Sequence, residues 1–312
     1  MVLYVTGDRA QLETQIGKDA LDLLVHRLDL IGHASKISLY LYTNGDDVIA
    51  SWSIANLMRQ FCDQFEVIVS SKALSGGTLI CLGADGIVMT KQAVLGPIDP
   101  STNSPLNPQV PGAPPHAKAP VSVEAITGYL DFARETLGRF TSRKHAFLKL
   151  TDSIHPHVLG QGFRNRSQIR MLGKKLLAMH PVNPAATDRI LRFLCSESGS
   201  HDYTITRQEA RDGLGLPVER PDDILYGIIR IIQQDFAAEL ELQLAYDPNV
   251  VLGGANVAAY VFKRAVIESV AGGSHAFVTE GTLTRQQIQI QPGVIQNAIT
   301  DNRTFDGWRH FP

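Results

Sequence analysis

Residues 70–100, SSKALSGGTLICLGADGIVMTKQAVLGPIDP, decide how this chain is read. A β-branched and aromatic run at 65–69 predicts a strand that enters this stretch. Ser75-Gly76-Gly77 then makes a sharp turn, an apolar helix is predicted over 78–84, and a short strand over 87–89. A serine between a strand and a helix has its hydroxyl lifted out of the turn, beside the free N–H groups of the helix's first turn. Glycines after it let a substrate carbonyl approach the backbone. Serine is also a favoured helix cap, so the turn by itself fits a nucleophile or a cap.

Working outward, the same rhythm continues. Residues 2–6 read as a strand, and 11–30 show helical spacing, with Leu12, Ile16, Ala20, Leu23, Leu24, Leu28 and Leu30 near one face. Residues 37–42 read as a buried strand that breaks at Asn44-Gly45, and 48–61 as a helix. Strand and helix in alternation predict a parallel sheet covered by helices on both faces. Residues 101–121 are proline-rich and cannot form a helix interior, so they read as an irregular surface excursion. Helices dominate afterwards, over 123–140, 168–179, 185–194, 206–214 and 222–243. The last carries Ile224, Ile228, Ile231 and Ile232 on one side. Strands are predicted at 258–269 and 276–284, joined at Gly272-Gly273.

The composition is that of an ordinary globular chain: 312 residues, 44% hydrophobic and 19% charged. A net charge of -2 offers no global field for nucleic acid or anionic lipid. Cys62, Cys81 and Cys195 form no disulfide framework and no zinc motif, so no metal and no cofactor is expected. No apolar run is long enough to span a membrane, and no leader is read at the start, which together lead to the expectation of a soluble, cytoplasmic protein. His155 and His157 lack the further ligands a zinc site needs and read as structural. Trp308 and Phe311 near the end could dock on the body or on a neighbouring copy.

Several motifs in order narrow the reading: ISLYLYT ending in Asn44-Gly45-Asp46-Asp47, then ALSGGT, GADGIVMT, LGPIDP, HPHVLG at 155–160 and HDYTIT at 201–206. The series resembles the serine dehydrogenase proteinase family, a branch of the Clp/crotonase superfamily near signal peptide peptidase A. The resemblance covers about residues 2–218 and, more loosely, KRAVIES at 263–269. It implies a Clp/crotonase-like parallel β-sheet core with flanking helices, here over 1–220. A helical and β-hairpin C-terminal extension is expected over 221–312.

Carried onto this chain, the resemblance makes Ser75 the nucleophile and the Gly76 N–H one oxyanion donor. The second donor comes from the family's Gly-Gly turn, where this chain keeps Gly45 but has Asp46 in the second place. For the general base two arrangements stay open. His201 could act as base with Asp99 orienting its ring, or Lys118 could act in a Ser–Lys dyad, with Lys91 a weaker candidate. The implied function is a serine peptidase that cleaves a peptide or protein substrate and assembles as a homo-oligomer. A crotonase-type enzyme acting on acyl thioesters and a non-catalytic scaffold of the same fold are the alternatives. The serine in the turn counts against the first, and Asp46 supports the second.

Overall fold

The computed structural model describes residues 1–98, 101–102, 104–114, 116–137, 143–179, 184–198, 200, 202–291 and 294–311. Its first part alternates β1 (Val2–Thr6), α1 (Ala20–Ile31), β2 (Ala34–Thr43), α2 (Val48–Gln60), β3 (Cys62–Ala73), α3 (Gly76–Leu82) and β4 (Gly86–Met89). Short strands β5 (Val94–Leu95), β6 (Ser101–Thr102) and β7 (Val121–Ser122) follow. Helices α4 (Val123–Leu137), α5 (Arg143–Ser153), α6 (Pro156–Leu177) and α7 (Pro184–Arg192) come next, then β8 (Ile205–Thr206) and β9 (Val218–Glu219). The chain closes with α8 (Asp223–Glu239), α9 (Pro248–Leu252) and three long strands, β10 (Val257–Ser269), β11 (Gly273–Gln291) and β12 (Val294–Phe311).

One sheet organises these elements, in the order β12-β11-β10-β1-β2-β3-β4-β9. Strands β1 to β4 are parallel neighbours, as the strand–helix rhythm requires. Strand β10 joins antiparallel to β1, and β11 and β12 continue antiparallel from it. The β2 sequence shows how one strand feeds two cores. Leu39 and Leu41 point to a cluster filled by α1, α2, α3, α6 and α7, whereas Tyr40 and Tyr42 point to a second cluster closed by Ile229 and Phe236 of α8. The fold is therefore an α/β parallel sheet with helices on both faces and an antiparallel C-terminal extension. Among the described residues, no helix is long and apolar enough to cross a membrane.

Three local expectations are corrected. Residues 11–19 are not helix, and α1 starts at Ala20. The segment spends its backbone donors elsewhere, Thr14 N–H on Gly7 O (2.8 Å) and Ile16 N–H on Gly45 O (2.8 Å), while Leu12 and Ile16 are still buried. On α8, Ile224, Ile228 and Ile231 are 79%, 49% and 67% exposed, because the stripe Leu225–Ile229–Ile232–Phe236 faces the sheet instead. A helical period admitted both stripes. The predicted two-strand C-terminus has a third strand, β12, and α5 was not foreseen. Trp308 docks on its own chain, donating Nε1–H to Asp19 Oδ2 at 2.7 Å.

Candidate active site

Two turns at the C-terminal ends of β2 and β3 meet. In one, β3 delivers Leu74 and Ser75 directly into α3. Ser75 has φ 47° and ψ -112°, a left-handed backbone that serine seldom adopts. Such a conformation costs on the order of 1–3 kcal/mol and persists only where its surroundings impose it. Here Leu74 N–H is held by Thr43 O (3.1 Å), Gly77 N–H by Leu74 O (2.7 Å) and Leu79 N–H by Ser75 O (3.1 Å). Thr78 completes the clamp. Its buried hydroxyl donates to Ala73 O or Gly96 O (2.9 and 2.8 Å) and accepts from Gly96 N–H (3.0 Å). That bond brings the LGP part of LGPIDP against the serine turn.

The other turn is Gly45-Asp46. Gly45 has φ 93° and Asp46 φ 112°, so the aspartate occupies backbone space that suits glycine. Gly45 N–H is taken by Thr43 Oγ1 (2.8 Å), itself bonded to Thr6 Oγ1 (2.7 Å). Asp47 N–H goes to Ile16 O (3.3 Å), and the Asp47 carboxylate caps α2 by accepting from Ile49 and Ala50 N–H (2.8 and 2.9 Å). The neighbouring donors are thus spent, and among the described residues neither Asp46 N–H nor Gly76 N–H meets an acceptor. The turns are in contact: a methyl group on Gly45 would lie 2.7 Å from Gly76 N, and one on Gly76 would lie 3.5 Å from Asp46 N and against the Ser51 hydroxyl.

The Ser75 hydroxyl caps nothing and makes no hydrogen bond among the described residues. The residue is 8% exposed, a small opening in an otherwise buried turn. A free hydroxyl beside two open N–H groups is suited to attack on a carbonyl whose oxygen those groups would receive. Asp46 is exposed at the turn, and its carboxyl is still held above the ordinary aspartate range, by partial desolvation first and by repulsion from Asp47 second.

The remaining sequence candidates fall differently. His201 and Asp99 lie outside the described residues. Lys118 is exposed in the proline-rich excursion, in an isolated antiparallel bridge with Gln109. Lys91 is exposed over the Tyr226 ring, 5.2 Å from its centre. Of His155 and His157, the first accepts from the second's N–H at the start of α6 (3.2 Å), and no metal-binding group forms among the described residues. Sequence reading missed Thr43, Ser51 and Ile16 as supports of the turns. Thr78 was visible in SGGT, but Ile16 carried only a helical period that misassigned it.

Comparisons with known proteins place both turns in a recognised segment. Residues 23–111 match the family model described as ClpP-like SDH-type serine proteinase. The match takes in Gly45-Asp46 and Ser75-Gly76 and ends before positions 118 and 201. An uncharacterized protein of Methanocaldococcus jannaschii is 25% identical over 199 residues, 64% of this chain and 59% of that protein. A second uncharacterized protein of the same organism is 44% identical over 64 residues, 20% of this chain and 22% of its own length. The chain thus spans less than two thirds of either relative. Among solved structures, a serine-to-alanine mutant of the 1510-N membrane-bound stomatin-specific protease aligns with TM-score 0.43 and 16% identity, over 67% of this chain and 76% of that one. A lysine-to-alanine mutant of the same protease, in complex with a substrate peptide, aligns with TM-score 0.43 and 16% identity over 72% and 77%. A ClpP1 mutant from Listeria monocytogenes aligns with TM-score 0.37 and 12% identity, over 67% and 89%.

Proposed function

We propose that this protein is a serine peptidase in which Ser75 attacks the scissile carbonyl and the N–H groups of Gly76 and Asp46 receive the developing oxyanion. The observation that carries the reading is the strained Ser75, φ 47°, whose free hydroxyl stands beside two open backbone donors. A strained serine at a strand-to-helix turn presents its Oγ outward, the arrangement a nucleophile needs and a helix cap does not. The serine-proteinase match over residues 23–111 supports the same chemistry.

In this reading the base is His201, with Asp99 orienting its imidazole; Lys118 is the alternative. The base removes the Ser75 proton as Oγ bonds to the carbonyl carbon, then passes it to the leaving amine. Water repeats the cycle to release the acyl group. Each oxyanion donor is worth about 100-fold or more in rate. A homo-oligomer belongs to the same proposal and is read by light scattering as a mass well above 34.1 kDa.

The test is cleavage of a mixed peptide library by wild type, Ser75→Ala and His201→Ala. Ser75→Ala is expected to abolish cleavage while changing stability by less than about 0.5 kcal/mol, since its hydroxyl caps no helix. His201→Ala is expected to lose cleavage as well. Cleavage that survives in Ser75→Ala rejects the nucleophile, and full activity in His201→Ala rejects that base.

A further inference from the structure

Asp46 sits in a backbone conformation that its own residue type opposes, so something outside the turn must impose it. That support is the strap of residues 11–19. Ile16, 1% exposed, gives its N–H to Gly45 O (2.8 Å) and takes the Asp47 N–H on its carbonyl (3.3 Å), bracketing Asp46 from both sides. The strap has no secondary structure of its own and is held from the far side by the C-terminal strands. Arg264 of β10 donates Nε–H to Leu12 O (2.9 Å) and Nη2–H to Glu13 O (2.5 Å). Its Nη1 reaches Thr279 Oγ1 (3.0 Å) and Asp306 Oδ1 (3.4 Å) on β11 and β12. Thr14 Oγ1 donates to Arg264 O (2.8 Å), and Trp308 Nε1–H closes the strap's end on Asp19 (2.7 Å).

We infer that Arg264 and Trp308 are positioning residues for the oxyanion turn: through the strap, the C-terminal strands hold the Asp46 N–H where it can meet the substrate. The inference rests on the proposed role of Asp46 as a donor. Hydrogen bonds tie β10 and β12 to Leu12, Glu13, Thr14 and Asp19, the strap backbone carries the link to Ile16, and Ile16 bonds the residue on each side of Asp46. None of the bonds that Arg264 and Trp308 make ends on Ser75, Gly76 or Asp46, so substitution at the strand end alters no group proposed to touch substrate. Arg264 also lines a cleft of ≈ 240 Å³ with Thr14, Asp19, Phe277 and Trp308. This cleft can admit a small guanidinium ion if the arginine is truncated.

The experiment uses the full chain with Arg264→Ala, Arg264→Lys and Trp308→Phe. Two readouts are taken: the rate of fluorophosphonate labelling, and amide hydrogen exchange at Ile16 and Asp47. Arg264→Ala is expected to label about 10-fold to 100-fold more slowly, the loss that follows a small misplacement of a catalytic group. Exchange at both amides should rise with it, and millimolar guanidinium chloride should restore both readouts. Trp308→Phe, which removes the indole N–H bonded to Asp19 together with part of the ring that packs on Phe277, covers the case in which Arg264→Ala does not fold, and is expected to raise exchange at Ile16. Arg264→Lys should fall between wild type and Arg264→Ala. Wild-type rates and wild-type exchange in Arg264→Ala overturn the inference, as does a loss that guanidinium leaves untouched while the fold persists. If wild type itself is inert to the probe, the peptidase reading fails. The strap is then judged by exchange alone: unchanged protection at Ile16 and Asp47 in Trp308→Phe rejects it.

Discussion

Gly45 and Ser75 belong to different turns, yet a methyl group on Gly45 would come within 2.8 Å of the Ser75 Cβ. That contact joins the end of β2 to the end of β3 and sets Asp46 N–H beside Gly76 N–H. It leaves no room for a side chain, and Gly45 also needs its left-handed φ of 93°. The site is therefore assembled from backbone, and its sensitivity lies in small residues more than in charged ones.

Gly45→Ala should be severely disruptive. The new methyl would meet Leu74 O at 2.5 Å and Gly76 N at 2.7 Å, with no flexible side chain to give way. Overpacking and backbone strain together should cost about 2–5 kcal/mol, read as a lower urea midpoint. A variant with wild-type stability and activity would mean that the turns are not in contact.

Asp46→Asn should separate the charge of this residue from its backbone role. Partial desolvation of this exposed residue and repulsion from Asp47 raise the Asp46 carboxyl pKa, so the fold favours its protonated form. The stabilising contribution of that protonated form is complete below the ordinary aspartate range and is lost as pH rises through the raised value. Above that raised value an ionised Asp46 is carried at a cost, so Asp46→Asn should melt higher than wild type toward the alkaline end of the range. The difference should close as pH falls toward about 4 and below. Where Asp46 is ionised, removing its negative charge beside the proposed oxyanion should also quicken labelling, by about threefold to tenfold. Melting curves that differ equally at both ends of the pH range would contradict the assignment.

Thr78→Val keeps the shape of a buried side chain and removes its hydroxyl. Gly96 N–H and one carbonyl, Ala73 O or Gly96 O, then lose their partner, which should cost about 1–3 kcal/mol in thermal or urea unfolding. Because the same bond holds the LGP segment against the serine turn, labelling should slow as well. A stability change below about 0.5 kcal/mol would show that this segment is anchored by other contacts.

The core of the fold was legible because its signals are local. Strands β1 to β4 and the helices between them follow from apolar runs, β-branched residues and the Asn44-Gly45 and Ser75-Gly76-Gly77 breaks. The serine turn was legible for the same reason. What escaped was set by distant partners. Residues 11–19 share the apolar period of the helix that follows, but their hydrogen bonds belong to Gly7, Gly45 and Arg264, which no local pattern encodes. The register of α8 was ambiguous because isoleucines lie on both of its faces, and only the sheet selects Ile229 and Phe236. The strain at Ser75 and Asp46 was hidden as well. It arises where two turns meet, and only the replacement of an expected glycine by Asp46 hinted at it.

The most direct measurement is mass spectrometry of wild-type protein treated with a fluorophosphonate probe, with the modified residue located by peptide mapping. A serine activated by a base and faced by two oxyanion donors should attack phosphorus, expel fluoride and carry the phosphonyl group on Oγ. A single adduct is expected on the peptide containing Ser75, absent from Ser75→Ala. An unmodified protein, or an adduct on another residue that persists in Ser75→Ala, would contradict the proposed role of Ser75.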